Sequence, residues 1–83
     1  GEAGLSFDRF TKLFPEDELT PDAFFWAGES YRMGNNTREA FRRYNECRWK
    51  FAESEAARYS RGRLALPEML QQFEAEARSV EDE

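Results

Sequence analysis

Residues 20–52 decide the fold, and they read TPDAFFWAGESYRMGNNTREAFRRYNECRWKFA. The stretch opens with a strong helix start signal. Thr20 can accept backbone N–H bonds as the N-cap, Pro21 suits the first helical position, and Asp22 complements the positive end of the helix dipole. We therefore expect a helix that runs from this signal to about Met33.

A turn and a second start signal follow. The Gly and Asn residues at 34–36 tolerate positive φ in a tight turn. Asn36 can then cap the next helix, with Glu39 three residues later as in a variant of the capping box. Apolar residues recur along both helices at the spacing that brings positions i, i+3, i+4 and i+7 onto one face. The predicted core faces are Phe24, Ala27, Gly28 and Tyr31 on the first helix and Ala40, Tyr44, Cys47 and Phe51 on the second.

The same helical spacing extends on both sides of this unit. Residues 2–15 carry an apolar stripe and end in a proline, and Ser54 can cap a further helix that runs to about Ala65. Pro67 interrupts that helix, and an acidic amphipathic segment over 67–80 follows. The outer stripes are Ala3, Phe7, Phe10 and Phe14 before the unit and Met69, Leu70, Phe73 and Ala77 after it. No stretch alternates apolar and polar residues as a strand does, so the sequence predicts an all-α fold of about five helices.

The composition excludes most catalytic and metal chemistries. The 83 residues include 17 acidic and 12 basic side chains, no His and one Cys. Without His, and with Cys47 as the single thiol, the chain can form neither a zinc site of the usual Cys/His kind nor a Ser-His-Asp or Cys-His nucleophile. The clustered acids at 16–18 lie in a turn, where nothing buries them enough to raise a carboxyl pKa. We expect no enzyme activity, no catalytic residue, no cofactor and no metal site.

The charge falls into three blocks. Residues 1–37 contain seven acids and three bases, residues 38–63 four acids and eight bases, and residues 64–83 six acids and one base. The basic block either neutralises its neighbours or attracts an acidic partner, and the acidic blocks would repel phosphates, so we expect no nucleic-acid partner. The longest purely apolar run, Ala23–Ala27, is far shorter than the ~20 residues that cross a bilayer, so we expect no membrane insertion of this segment.

The chain also aligns with itself at an offset of 37 residues. At this offset Phe7 coincides with Tyr44 and Phe14 with Phe51. The acidic residues at 16–18 coincide with the cluster at 53–55. Repeats of about this length are typical of two-helix units whose apolar faces are buried only by neighbouring units. The sequence therefore indicates a stack of helical repeats.

Small and aromatic residues of the two central helices follow the spacing of a known repeat. They are Phe24, Ala27, Gly28, Tyr31, Ala40, Tyr44 and Cys47. In this order and spacing they resemble the tetratricopeptide repeat. The resemblance covers residues 2–65 and departs from the family at Ala27, where Leu is usual, and at Ala52, where Pro is usual. The segments FWAGESY, FPEDEL and FAESEA are similar to a bacterial cell-envelope subclass, which includes Tol-Pal-associated periplasmic proteins and barrel-assembly lipoproteins.

The resemblance implies a layout of repeat units within a single domain. Residues 2–15 would form the second helix of one repeat, 20–52 one full repeat, 53–66 the first helix of the next, 67–80 a C-terminal capping helix, and 81–83 a frayed tail. Because a self-sufficient stack needs about three repeats, we expect the domain to belong to a larger protein. The resemblance favours the bacterial periplasm or cell envelope and leaves a cytoplasmic location open.

Tetratricopeptide repeats bind peptides on the concave face of each unit's first helix. The resemblance assigns this role to Asp22, Phe25, Glu29, Arg32 and Met33. From the residues alone, Phe25, Glu29 and Arg32 share a flank beside the core face, where an aromatic anchor and a guanidinium can hold a partner's carboxylate or carbonyl. Packing of Phe25 on the previous helix, with the charges solvated, would account for the same pattern.

Three further residues are placed by their position on the helices. Trp49 lies nearly opposite the core stripe of its helix and is predicted as an exposed interface anchor. Contact with a missing neighbouring segment, or with Arg side chains such as Arg48 or Arg42, is the alternative. Trp26 is expected to pack, as the resemblance suggests, and Cys47 is expected to be an inert core thiol.

The expected function is a non-catalytic protein-protein interaction scaffold that binds a protein or peptide segment on the concave helix face. Two alternatives stay open. The repeat faces could serve self-association as a homodimer or stack, or the domain could dock on and regulate a catalytic domain elsewhere in a longer chain.

Overall fold

Five α-helices make up residues 2–81, the part of the chain that the computed structural model describes. They are α1 (Glu2–Leu13), α2 (Thr20–Met33), α3 (Thr37–Lys50), α4 (Glu55–Leu64) and α5 (Pro67–Glu81). No strand occurs in this range. The predicted all-α fold of about five helices is confirmed.

Successive helices from α1 to α4 pack side by side. Besides its two sequence neighbours, α2 contacts α4, and α5 rests mainly on α3. The central helices α2 and α3 therefore supply most of the buried side chains. None of the five described helices has the length and apolar character needed to cross a membrane.

The capping signals predicted for α3 and α4 are confirmed. The Asn36 side chain accepts the backbone N–H of Glu39 at 3.3 Å, and the Ser54 hydroxyl accepts that of Ala57 at 3.0 Å. In the turn before α3 the positive φ falls on Asn35, at 61°. The short polar side chain of Asn tolerates this conformation better than most residues do.

The predicted N-cap of α2 is wrong. Thr20 is a buried residue of the helix itself, and its hydroxyl donates a hydrogen bond to the Phe14 carbonyl. The residue before the helix is Leu19, which has no capping side chain. The turn takes over the role of the cap, because the Asp17 side chain accepts the Leu19 N–H at 2.8 Å and the Asp17 carbonyl accepts the Thr20 N–H at 3.0 Å.

The predicted core faces of the two central helices are confirmed, with Phe51 only partly buried. The buried residues of these faces are Phe24, Ala27, Gly28, Tyr31, Ala40, Tyr44 and Cys47. Their neighbours in the core are Phe25, Phe41, Ala56, Ala57 and Met69. The small alanines of α4 let that helix lie close against α2 and α3.

The first helix is rotated relative to the prediction. It faces the core with Gly4 and Thr11, whereas Ala3 and Phe14 of the predicted stripe are exposed. The cause is Tyr31 of α2, whose ring lies directly over Gly4 and leaves no room for a side chain there.

The last helix packs less than its amphipathic pattern predicts. Only Met69 of its predicted stripe is buried, because α5 contacts α3 and the end of α4 but no other helix. The exposed members of that stripe are Leu70, Phe73 and Ala77. Of the predicted frayed tail, residue 81 ends α5, and residues 82–83 lie outside the described residues.

Candidate partner-binding surface

Two glycines let successive helices approach closely. A Cβ atom on Gly4 of α1 would lie 2.8 Å from Cζ of Tyr31, and one on Gly28 of α2 would lie 2.6 Å from Cε1 of Tyr44. Both distances are well inside the ~3.5–4.0 Å at which carbon atoms attract each other. Each tyrosine ring therefore occupies the space that a side chain at the glycine would need.

The first tyrosine belongs to a network that joins three successive helices. Tyr31 of α2 donates to the Asp8 carboxylate of α1 at 2.7 Å. Arg43 of α3 donates to the same carboxylate through Nε at 2.8 Å and Nη2 at 3.0 Å. Arg43 also pairs with Glu39 on its own helix at 2.9 Å. The network ties α1, α2 and α3 together.

The same arrangement recurs one helix further along. Tyr44 of α3 donates to Oε1 of Glu29 on α2 at 2.5 Å, and Arg63 of α4 donates to the same oxygen at 2.7 Å. Arg32 donates to the other carboxylate oxygen at 3.2 Å. A carboxylate on one helix, a tyrosine on the next and an arginine on the one after thus form a pattern that repeats along the stack.

These contacts favour the charged form of both carboxylates. Burial raises the pKa of Asp8, but hydrogen bonds from Arg43 and Tyr31 outweigh burial and hold that pKa below its usual value. Burial acts on Glu29 in the same way, and hydrogen bonds from its tyrosine and two arginines lower its pKa. Burial, together with the Glu29 carboxylate, raises the pKa of the Tyr44 phenol well above its ordinary range. We interpret both networks as ties between helices.

The structure places two predicted partner-binding residues, Glu29 and Arg32, in the second network and a third, Phe25, beside it. Phe25 is 8% exposed and packs against Tyr44 and Tyr59, with ring centroids 6.0 and 5.9 Å away. Glu29 is buried, and Arg32 is half-buried against it. These three residues do lie together, as predicted, but α4 covers Phe25. The prediction of Phe25 as a hydrophobic anchor on an open face is wrong.

The exposed face of α2 lies beside this flank. Asp22 and Met33 are exposed there, as a binding role requires, and Met33 is 78% exposed. Trp26 is 52% exposed on the same face, so its predicted packing role is wrong. Leu19, Trp26 and Met33 follow one another at seven-residue spacing, which keeps residues on one side of a helix that packs against another. That spacing is the signal in the sequence that identifies this face.

Helix α1 forms the second wall of a groove along this face. The groove has a volume of about 450 Å³. It is lined by Ser6, Phe7 and Phe10 of α1 and by Leu19, Asp22, Ala23 and Trp26 of α2 and the turn before it. The lining is mostly apolar, with Asp22 as its one charged residue. We call this site the α1/α2 groove.

Trp49 lies on α3 and is not part of the α1/α2 groove. It is 70% exposed, and the Arg48 guanidinium lies 4.8 Å from its ring centroid. Cys47, two residues before Trp49 on the same helix, is fully buried, and burial raises the pKa of its thiol. The predicted core position of Cys47 is confirmed.

No family model, curated protein or solved structure matches this chain. Within the described residues 2–81, no group of three or more Cys, Asp or Glu side chains is arranged to hold a metal ion.

Proposed function

We propose that this chain is a non-catalytic protein-interaction module, a tetratricopeptide-like helical stack that binds a segment of a partner protein in the α1/α2 groove. The observation that carries the proposal is the groove, in which the half-exposed Trp26 and other large apolar side chains line an open cleft. Contiguous apolar surface with an aromatic anchor is typical of protein-protein interaction sites. Asp22 and Met33, two of the predicted binding residues, lie on this face.

The walls of the groove are held in place before a partner arrives. Asp8 on α1 and Tyr31 on α2 are joined by a hydrogen bond of 2.7 Å, and Arg43 of α3 donates a hydrogen bond to the same Asp8 carboxylate. Binding to a preformed surface avoids the entropy loss of ordering it. The networks therefore favour a role as a rigid scaffold.

The repeat family and the envelope location are also part of the proposal. Support for the family comes from the side-by-side packing of successive helices, the contact between α2 and α4, and the seating of Tyr44 over Gly28. Support for the bacterial envelope comes from the sequence resemblance over residues 2–65.

Capture of binding proteins by matched variants tests the proposed function. The chain is immobilised, a lysate of the cells that encode it is passed over it, and the retained proteins are identified. Trp26→Glu places a charge in the groove, and Leu70→Glu places the same charge on α5 at a similar exposure of 54%. A protein that is lost with Trp26→Glu and retained by Leu70→Glu supports the proposal. A protein that Trp26→Glu still retains contradicts it, and loss with Trp49→Glu would move the binding site to α3.

Self-association is a second candidate that the charge distribution favours. Trp49 is flanked by Arg48 and Lys50 on α3, whereas α5 is an acidic helix that exposes Phe73 and Val80. A basic aromatic face on one copy and an acidic amphipathic helix on another are complementary. Sedimentation over a range of concentrations tests this candidate: it expects a dimer that dissociates on dilution and is lost with Trp49→Glu, whereas a monomer at all concentrations excludes it.

A further inference from the structure

We propose that the α1/α2 groove receives an amphipathic helix of a partner protein, and that this helix carries basic side chains along one flank. The inference rests on the proposed function and adds the secondary structure and the charge of the bound segment.

The internal repeat indicates that the bound segment is helical. At the 37-residue offset, three groove residues coincide with residues of α3 and α4 that contact α2. The pairs are Phe7 with Tyr44, Asp22 with Tyr59, and Trp26 with Arg63. The groove is therefore the counterpart, one repeat earlier, of a surface on which a helix is already seated within this chain.

The contacts at that inner surface show how a helix uses it. Phe25 of α2 packs against both Tyr44 and Tyr59. One turn further along α2, Glu29 pairs with Arg63 at 2.7 Å. A helix seated there presents an aromatic side chain and, four residues later, a charge that complements the surface. A helix in the α1/α2 groove would place its apolar anchor against Phe7 and its next charged position against Trp26.

The sign of that charge is reversed in the groove. On the inner surface the cation Arg63 pairs with the carboxylate of Glu29 on α2. The groove offers an aromatic face, Trp26, and an acid, Asp22. An ammonium or guanidinium group is attracted by both, through the π-face of the indole and through the carboxylate. At the position where α2 has Glu29, a helix bound in the groove should therefore have a basic residue.

The charges of α1, of the turn after it and of α2, the segments that form the groove, favour the same sign. Of the charged residues in this part of the chain, Asp8, Glu29 and Arg32 take part in the networks described above. The others form no salt bridge with any described residue: Glu2, Glu16, Asp17, Glu18 and Asp22 on the acidic side, and Arg9 and Lys12 on the basic side. Five carboxylates against two cations attract a basic segment, and they oppose a second copy that would bring the same edge into contact.

Binding of designed peptides tests the inference. One synthetic peptide of about 18 residues, five turns of helix, carries Leu and Phe at i, i+3, i+4 and i+7 with Lys on the flanks. A second peptide has Glu in place of every Lys. The indole N–H signals of Trp26 and Trp49 in NMR spectra, assigned with Trp49→Phe, report where each peptide binds. We expect the Lys peptide to shift the Trp26 signal and to bind at least ten times more tightly than the Glu peptide.

Variants of the groove complete the test. Asp22→Asn should weaken the Lys peptide several-fold and reduce its salt dependence, whereas Leu70→Glu should leave its affinity within twofold. Equal binding of both peptides, a shift confined to Trp49, or no binding would each overturn the inference. Loss of Lys-peptide binding in a longer polypeptide that contains residues 1–83 would also overturn the inference. In that case another segment of the same polypeptide would fill the groove. If lysate proteins depend on Trp26 while the two peptides bind alike, only this inference fails and the proposed function stands.

Discussion

Gly28→Ala tests how the stack is held together. A methyl group at Gly28 would lie 2.6 Å from the Tyr44 ring, and that ring is completely buried, so it has no free space to move into. Carbon atoms make favourable contacts at about 3.5–4.0 Å, so the ring or the helix has to shift by about 1 Å. Overpacking of this kind costs about 1–3 kcal/mol.

Gly62→Ala is the matched control. A methyl group at Gly62 of α4 meets no heavy atom within 4 Å, so the same substitution has no steric cost there. Both positions are helical, and replacement of Gly by Ala favours the helix by up to about 1 kcal/mol. The difference between the two variants therefore isolates the overpacking term. In a domain of this size, each kcal/mol corresponds to roughly 4–8 °C in Tm.

Thermal and urea unfolding, followed by circular dichroism, measure both variants. We expect Gly62→Ala to melt at or above the unaltered chain, and Gly28→Ala to melt at least about 4 °C below Gly62→Ala. Equal melting temperatures would refute the conclusion that α2 and α3 approach closely because the Tyr44 ring is seated over Gly28.

Three further predictions concern the charged networks and the thiol. The pKa values of Asp8 and Glu29 are lower in the folded chain than in the unfolded chain. The stability that these carboxylates supply is therefore present above about pH 5 and is lost as the pH falls through the folded pKa values. In an acid titration, the stability of Glu29→Gln should fall less steeply with pH than that of the unaltered chain. Arg43→Gln should lower the free energy of unfolding by about 1–3 kcal/mol, because it leaves the partly buried Asp8 carboxylate without its cation. Arg42→Gln should lower it by less than about 1 kcal/mol in urea titrations, because the Arg42 pairs are more exposed. Cys47 should react with a thiol reagent far more slowly in the folded chain than in urea, and fast reaction under native conditions would contradict its burial.

The sequence predicts the helix ends well because their signals are local. A cap acts within one turn of the helix, so Asn36 and Ser54 could be assigned without knowledge of the rest of the fold. The core stripes of α2 and α3 were also predictable, since each of these helices has a neighbour on both sides. For α1, the position of Gly4 under Tyr31 decided the rotation, and that contact joins residues 27 positions apart.

The candidate site was predictable only in part, because helical periodicity assigns one face of a helix to the core. Phe24, Phe25 and Trp26 are three successive aromatic residues, and the sequence does not say which of them α4 will cover. In the structure, Phe24 and Phe25 are buried and Trp26 is half-exposed. The exposed aromatic residue next to Asp22 in the groove is therefore Trp26, one residue after the predicted Phe25. The networks could not be predicted either, since the arginine and the carboxylate that join different helices are 34 positions apart in one network and 35 in the other.

The core face of helix α2 and its proposed docking face are separate, and this separation makes the binding tests interpretable. Gly28 and Tyr31 face α3 and α1, whereas Trp26 faces the groove. Trp26→Glu is then a surface substitution, and such changes usually alter stability by no more than about 0.5 kcal/mol, or about 4 °C in Tm. We expect Trp26→Glu to melt close to the unaltered chain in the same thermal assay that separates Gly28→Ala from Gly62→Ala. Were Trp26→Glu to melt as low as Gly28→Ala, Trp26 would belong to the core, and the loss of a partner in the capture experiment would reflect unfolding instead of a blocked groove.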